Sequence, residues 1–104
     1  MYSFIETKLF TRLVAEYLSD EEYRKLQSAL IEHPNVGDVV PGSGGVRKIR
    51  WRAPGRGKSG GYRVMYFTRL REGLIYLLTI YPKNVSENIP VHILRQLRKE
   101  IEDA

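Results

Sequence analysis

The spacing of apolar residues changes at Pro34, and this change constrains the fold more than any other feature of the sequence. Before Pro34, apolar side chains recur at helical spacing and predict two helices, the first over roughly residues 7–17 and the second beginning at Ser19. Ser19 and Glu22 have the spacing of a capping box, which marks a helix start. Beyond Pro34 the apolar residues alternate as they do in strands. Helices largely segregated from strands are typical of an α+β fold.

Five segments are predicted to form strands, and a last helix follows them. The segment 74–81 is apolar on both alternating faces, which predicts a strand in the middle of the sheet. Pro90 suits the start of the last helix, where an N–H has no helical partner. The expected fold is α+β, a single domain over residues 1–104, with two N-terminal helices and a C-terminal helix packed on a mostly antiparallel sheet of four or five strands. The strand segments are residues 2–6, 37–40, 46–51, 62–68 and 74–81.

Positive charge is concentrated in one third of the chain. The sequence has 17 Lys and Arg and 12 Asp and Glu, but the window from Val39 to Arg71 holds nine basic residues and no acidic one, so it carries +9 and the remainder −4. Uncompensated like charge repels itself, and a polyphosphate is the usual partner that offsets it. Together with the aromatic residues of the window, this composition is typical of a nucleic-acid surface. The basic residues are Arg47, Lys48, Arg50, Arg52, Arg56, Lys58, Arg63, Arg69 and Arg71.

The composition argues against several other classes of protein. The 104 residues include no Cys, so there is no disulfide framework and no thiolate metal site, which suits a reducing cytosol. No run of about eighteen apolar residues could span a membrane, and residues 1–10 do not have the pattern of a signal peptide. His, Asp and Glu show no metal-ligand spacing. We therefore expect a cytoplasmic protein without a metal or cofactor.

Three cations on the predicted strands are candidates for binding phosphate. Lys48 and Arg50 share one face of their strand, about 6 to 7 Å apart, because side chains alternate along a strand. A solvated strand face is the alternative, but the missing carboxylates favour an anion site. Arg63 lies in an otherwise apolar strand, where an unpaired cation is costly, so it requires an anion, a carbonyl or a cleft. A salt bridge to Glu6 or Glu87 is the structural alternative.

The Gly-rich segment 53–61 is predicted to close a hairpin. It lacks the spacing of a nucleotide-binding P-loop and leads into a strand rather than a helix, which favours a basic arm that moulds to RNA. A flexible hairpin tip is the simpler alternative. The predicted RNA-binding residues, two of which lie in this arm, are Arg47, Trp51, Arg52, Arg56, Lys58, Tyr62, Tyr66 and Tyr81.

Three stretches, residues 42–50, 60–66 and 76–84, resemble the signature of RelE-superfamily toxins, most closely the HigB-like branch. They combine a strand with Lys and Arg, a Gly-Tyr-Arg strand, and a Lys after an apolar strand. The resemblance covers nearly the whole chain, because the helices and strands fall in the same order. It implies the toxin of a type II toxin–antitoxin pair, a ribosome-dependent endoribonuclease that cuts mRNA in the ribosomal A site.

The resemblance also implies roles for individual residues. The basic catalytic positions of the family are matched by Lys48, Arg50, Arg63 and Lys83. The family often adds a Tyr or His several residues further on, where it can stack on or protonate the substrate, but residues 85–89 contain neither. That role is therefore vacant or passes to Tyr81, Tyr62 or His92.

The implied reaction is attack of a 2′-hydroxyl on its own phosphate, which leaves a 2′,3′-cyclic end and a 5′-hydroxyl. Arg63 and a partner cation can stabilise the charge that gathers on the phosphoryl oxygens, and Lys48 or Lys83 could act as the base. The implied partners are the ribosome, with its RNA and the A-site mRNA, and a cognate antitoxin with a helix-turn-helix domain. The free toxin is expected to be a monomer with no membrane partner.

Two alternative functions are compatible with the sequence. A gyrase-directed toxin of the ParE branch would share the fold, but it would not need Lys48, Arg50, Arg63 and Lys83. A non-catalytic nucleic-acid-binding module would need only the net charge. The joint presence of the four cations favours the ribonuclease.

Overall fold

In the computed structural model, which describes residues 1–52, 61–83 and 89–102, helices and strands follow in the order expected from the sequence. The helices are α1 (Lys8–Tyr17), α2 (Asp20–Glu32) and α3 (Val91–Glu102). The strands are β1 (Ser3–Glu6), β2 (Asp38–Val39), β3 (Arg47–Trp51), β4 (Tyr62–Arg69) and β5 (Leu74–Pro82). None of the helices within these ranges is long and apolar enough to cross a membrane.

The five strands form one sheet in the order β1–β5–β4–β3–β2. Neighbouring strands are antiparallel except β1 and β5, which are parallel. Strand β5 is paired on both sides and is buried continuously over residues 75–81, which confirms the prediction of an interior strand, although β4 is the central one. The α+β class and the mostly antiparallel sheet are therefore confirmed.

Helices α1 and α2 pack on one face of the sheet. The Thr7 hydroxyl caps α1 by accepting from the Phe10 N–H (2.9 Å), and it also donates to the Leu78 carbonyl (2.7 Å), so the cap ties the helix to β5. Ser19 and Glu22 form the predicted capping box at the start of α2. The core on this face consists of Phe10, Val14, Leu18, Leu26, Leu30, Val64, Tyr66, Ile75, Leu77 and Ile80.

Helix α3 packs on the opposite face. Its last turn is fixed to β4 because the Glu102 carboxylate pairs with both Arg69 and Arg98. The Arg98 guanidinium also lies 4.9 Å from the centroid of the Phe67 ring, within the range of a cation–π contact. The core on this face consists of Val46, Met65, Phe67, Tyr76, Leu78, Tyr81, Leu94 and Ile101.

A β-bulge in β5 decides which face of the sheet Tyr81 occupies. The pairing shifts between Met65 and Tyr66 of β4, which leaves Leu78 of β5 without an opposite residue. Strict alternation from Leu78 would have placed Tyr81 on the face of α1 and α2. Because of the bulge, Leu78 and Tyr81 both belong to the α3 face.

Candidate functional site

A row of three side chains crosses the sheet on the α3 face. Arg50 of β3 pairs with Arg63 of β4, and Arg63 pairs in turn with Tyr81 of β5; we call these three residues the Arg–Tyr row. Residues directly opposite in an antiparallel pair point to the same face, with Cβ atoms about 4.5–5.5 Å apart. Like charges in such positions destabilise a sheet. The two arginines therefore form an arrangement that a bound anion would stabilise.

Arg63 is the enclosed cation of the Arg–Tyr row, since it is only 7% exposed. A buried charge is costly unless it is paired. Among the described residues Arg63 makes no ion pair with a carboxylate. Glu6, one of the two carboxylates considered from the sequence, instead accepts hydrogen bonds from Tyr23 (2.5 Å) and Thr11 (2.6 Å). The other, Glu87, lies outside the described residues.

The two lysines predicted to be catalytic lie next to the Arg–Tyr row in the fold. Lys48 precedes Arg50 by two residues on β3 and therefore shares its face. Lys83 is exposed just beyond β5, and its backbone N–H donates to the Gly61 carbonyl (3.3 Å). Gly61 has a φ of +68°, and a Cβ atom there would lie 2.5 Å from the Trp51 carbonyl oxygen. The chain segments at residues 51, 61 and 83 can therefore approach one another this closely only with glycine at position 61. Their close approach holds Lys83 at the same end of the sheet as the Arg–Tyr row.

Tyr81 ends the Arg–Tyr row with a hydroxyl group. The residue is 6% exposed, so its ring has no open face on which a base could stack, which excludes one of the two roles considered from the sequence. Its hydroxyl oxygen is buried and has no hydrogen-bond partner among the described residues, which is uncommon in native proteins. Burial raises the pKa of Tyr81, and the positive charge of Arg63 partly opposes that rise. The hydroxyl is therefore a neutral hydrogen-bond donor near pH 7.

Arg47 and Tyr66, two of the predicted RNA-binding residues, form hydrogen bonds that stabilise the fold. They pair with each other on the face of α1 and α2. Tyr66 is fully buried, and its hydroxyl accepts from the Gly37 N–H (2.9 Å) and donates to the Pro34 carbonyl (2.8 Å). Arg47 donates to the carbonyls of Asn35 (3.2 Å) and Gly37 (2.7 Å). The prediction that Tyr66 contacts RNA is wrong, because its side chain is fully buried. Contact of the partly exposed Arg47 with RNA stays a prediction.

Trp51 and Tyr62 also lie on the face of α1 and α2. Both pack against its core, and the ring centroids of Tyr62 and Tyr17 are 5.2 Å apart. The sheet therefore separates these aromatic residues from the Arg–Tyr row, although the sequence suggested one continuous surface. Arg52 is exposed directly after β3. The predicted loop 53–60 lies outside the described residues, and with it Arg56 and Lys58.

A second group of cations was not predicted from the sequence. Arg95, Arg98 and Lys99 of α3 line a cavity together with Ser43 and Gly44 from the turn before β3. Their spacing of three and four residues places them on one side of the helix, and this spacing is the signal that could have indicated them.

Comparison with protein families identifies the class to which this fold belongs. The sequence matches the family described as "RelE toxin of RelE / RelB toxin-antitoxin system" over residues 4–102. The match covers nearly the whole chain, so the class is that of toxins from toxin–antitoxin systems. The chain belongs to the RelE toxin family, as the resemblance in its sequence implied.

Solved structures of the family share the fold. The free form of a double mutant of Escherichia coli toxin RelE superposes with a TM-score of 0.61 at 18% identity, covering 93% of this chain and 96% of that chain. The toxin–antitoxin complex RelBE of E. coli gives 0.58 at 16% identity, with 79% and 96% covered. The archaeal RelE–RelB complex of Pyrococcus horikoshii gives 0.50 at 22% identity, with 82% and 98% covered. At these identities the likeness shows a common RelE-like fold.

Proposed function

We propose that this protein is a ribosome-dependent endoribonuclease, the toxin of a type II toxin–antitoxin pair that cleaves mRNA in the ribosomal A site. Its family supports the toxin role. The observation that supports cleavage most directly is the pair of Arg50 and Arg63. These two arginines are directly opposite on one face of the sheet, and neither has a carboxylate partner among the described residues. A phosphodiester held by both groups would offset their repulsion.

The proposed reaction needs stabilisation of negative charge more than any other chemistry. The 2′-oxygen attacks the adjacent phosphorus, and the bond between phosphorus and the 5′-oxygen breaks, which yields a 2′,3′-cyclic phosphate and a 5′-hydroxyl. Charge builds up on the non-bridging oxygens, where Arg63 and Arg50 can donate charge-assisted hydrogen bonds. Loss of one such preorganised donor lowers a rate by about 10²–10³-fold. Lys48 and Lys83 are the candidates that accept the 2′-hydroxyl proton.

Tyr81 is the candidate that protonates the leaving 5′-oxygen. Its hydroxyl is neutral near pH 7, lacks a partner among the described residues, and belongs to a residue directly opposite Arg63. Transfer of its proton to the 5′-oxygen would leave a tyrosinate whose charge Arg63 stabilises until solvent restores the proton. Of the two roles that the resemblance implied for such a residue, stacking and protonation, the burial of the Tyr81 ring favours protonation.

The ribosome would supply the orientation that such a site lacks. Holding reacting groups in place can contribute about 7–11 kcal/mol to lowering a barrier, so we expect weak activity on free RNA and much higher activity on a message positioned in the A site. The exposed Arg52 would contact RNA outside the row. Binding to the ribosome should weaken steeply with salt, because it depends on phosphate contacts.

A cognate antitoxin is the second expected partner. RelBE of E. coli and RelE–RelB of P. horikoshii are toxin–antitoxin complexes with the same fold of toxin, and they support such a partner here. We expect it to carry a helix-turn-helix domain and to cover the basic α3 face. The remaining expectations are a single domain over residues 1–104, a monomeric free toxin of the HigB-like branch, and a cytoplasmic location.

Primer extension on a reporter mRNA in a translation extract tests the proposed function. The protein and its Arg63→Ala variant are compared with and without ribosomes. We expect new ends inside codons of the translated region, only when ribosomes are present, and their loss in the variant. Intact message together with blocked growth would contradict the nuclease and favour action on gyrase. Intact message without toxicity would leave only a nucleic-acid-binding module.

A further inference from the structure

A cavity of about 260 Å³ lies between α3 and the turn that precedes β3. We name it the α3 pocket; it is lined by Ser43, Gly44, Arg95, Arg98, Lys99 and Glu102. Three of these side chains are cationic and one is acidic. The turn contributes no charge of its own. The walls of the α3 pocket are therefore net positive.

The single carboxylate of the α3 pocket is already engaged. One Glu102 oxygen pairs with Arg69, which lies outside the pocket, and the other lies 2.9 Å from the Arg98 Nε atom. Neither Arg95 nor Lys99 has a carboxylate partner among the described residues. Two cations on adjacent turns of the helix are thus left to attract an anion.

The arginines of the α3 pocket are held in place before any ligand arrives. Arg95 donates from Nη1 to the Gly42 carbonyl (3.0 Å), and Arg98 lies over the Phe67 ring. Gly44 has a φ of +80°, and a Cβ atom there would lie 2.5 Å from the Arg98 Nη1 atom. The turn approaches the guanidinium closely because Gly44 has no side chain. Preorganised guanidinium groups are well suited to phosphate, since less side-chain freedom is lost on binding.

The α3 pocket is distant from the Arg–Tyr row. Phe67, under Arg98, lies four residues beyond Arg63 on β4, which is about 13 Å at 3.3 Å per residue. One phosphate cannot contact both places, although one RNA strand can. We propose that the α3 pocket is a second phosphodiester site, which binds the RNA backbone outside the cleaved bond. The inference rests on the proposed function, because that function makes RNA the polyphosphate that this protein meets.

Fluorescence anisotropy with a 2′-O-methyl RNA oligonucleotide tests this site in the full chain, because such RNA binds but cannot be cleaved through its 2′-oxygen. The variant is Arg95→Gln with Lys99→Gln. Its matched control is Lys8→Gln with Arg12→Gln, which removes two exposed charges at the same helical spacing from α1, on the other face of the sheet. Dissociation constants are measured over a series of salt concentrations. Thermal unfolding of each variant verifies the fold.

We expect the pocket variant to bind the RNA about tenfold more weakly than the control. The slope of the logarithm of its association constant against the logarithm of the salt concentration should be smaller in magnitude by about 1.4, because each lost phosphate contact to a single strand removes about 0.7. Lys99→Gln alone, at an exposed side chain, is the second variant if the double one unfolds, with an expected slope change of about 0.7.

Equal affinities and slopes for the pocket variant and the control would overturn the inference and leave the arginines a purely structural role. The inference would also be overturned if the pocket variant bound RNA like the control but lost affinity for poly-glutamate, since the pocket would then fit an acidic protein segment. Cleavage of translated mRNA is scored separately. Intact mRNA with weakened RNA binding of the pocket variant would support the site and refute the nuclease.

Discussion

Replacing Arg63 with Met is expected to stabilise the fold while strongly slowing cleavage. The change removes a charge that is 7% exposed and directly opposite Arg50, and it puts an apolar side chain of similar length beside the apolar core of the α3 face. Replacing a whole buried ion pair by apolar residues is often neutral or stabilising by about 1–4 kcal/mol, and a buried charge without a partner is costlier to keep. An unfavourable cross-strand pair accounts for about 0.2–1 kcal/mol. We expect the free energy of unfolding to rise by about 1–2 kcal/mol, which raises Tm by about 4–16 °C in a domain of this size.

Arg47→Met is the matched control, with the opposite expected sign. Arg47 lies on the neighbouring strand, and its guanidinium donates to the carbonyls of Asn35 and Gly37. Removing it leaves the part-buried Gly37 carbonyl without that donor, and an unsatisfied buried acceptor costs about 1–3 kcal/mol. Each variant loses one positive charge, so the difference between them reports the partners of the two arginines rather than net charge.

Urea and thermal denaturation of both variants, followed by circular dichroism, measure these changes. Cleavage in a translation extract should fall at least about 10²-fold in Arg63→Met. Destabilisation of Arg63→Met by as much as Arg47→Met would show that Arg63 is a structural cation with satisfied partners, contrary to this prediction.

Three further predictions concern tyrosines and glycines. Tyr81→Phe should slow cleavage by about 10²–10⁴-fold without weakening ribosome binding. The control Tyr76→Phe, on the same face but outside the Arg–Tyr row, should cleave normally. Equal cleavage rates of the two variants in single-turnover assays would contradict a proton-donating Tyr81. Burial raises the pKa of both Tyr66 and Tyr81 in the folded state, so stability is intact below the unfolded pKa of about 10 and should decline as the pH rises above it. Urea midpoints that stay constant up to pH 11 would argue against this burial. Gly61→Ala should lower stability by more than Gly45→Ala, since both glycines have positive φ but, of the two, only Gly61 faces a backbone atom within 3 Å. The backbone strain common to both variants costs about 1–3 kcal/mol. Equal urea midpoints of the two variants would contradict the additional steric clash at Gly61.

The fold could be predicted because its signals are local. The capping box at Ser19 and Glu22, the proline that opens α3, and the alternation within each strand depend on neighbours in sequence. The parallel pairing of β1 with β5 joins distant segments, and no local pattern indicated its direction.

Site residues could be predicted only where the alternation of side chains along one strand determines the face of the sheet on which they lie. Lys48, Arg50 and Arg63 lie on the face that this rule gives, as Met65 and the α3 core show. Tyr81 could not be placed, because the bulge at Leu78 reverses the alternation, and its position depends on the register between β4 and β5.

Composition alone could not show on which face of the sheet the aromatic residues lie. A basic segment interleaved with aromatic side chains suggested one RNA surface, but alternation places Trp51, Tyr62 and Tyr66 on the face of α1 and α2. Tyr66 is buried in the core there, and Trp51 and Tyr62 are partly buried against it. The hydroxyl of Tyr66 is used by Gly37 and Pro34, a contact across thirty residues that the sequence does not reveal.

The most direct test of the account uses purified ribosomes programmed with a defined mRNA, either all-ribose or carrying one 2′-deoxynucleotide immediately 5′ of the bond that is cut. The account predicts cleavage of the all-ribose message in the A site, with a 2′,3′-cyclic phosphate and a 5′-hydroxyl at the new ends, and no cut at that bond in the deoxy message. An intact all-ribose message, or a cut that persists without the 2′-hydroxyl, would contradict it.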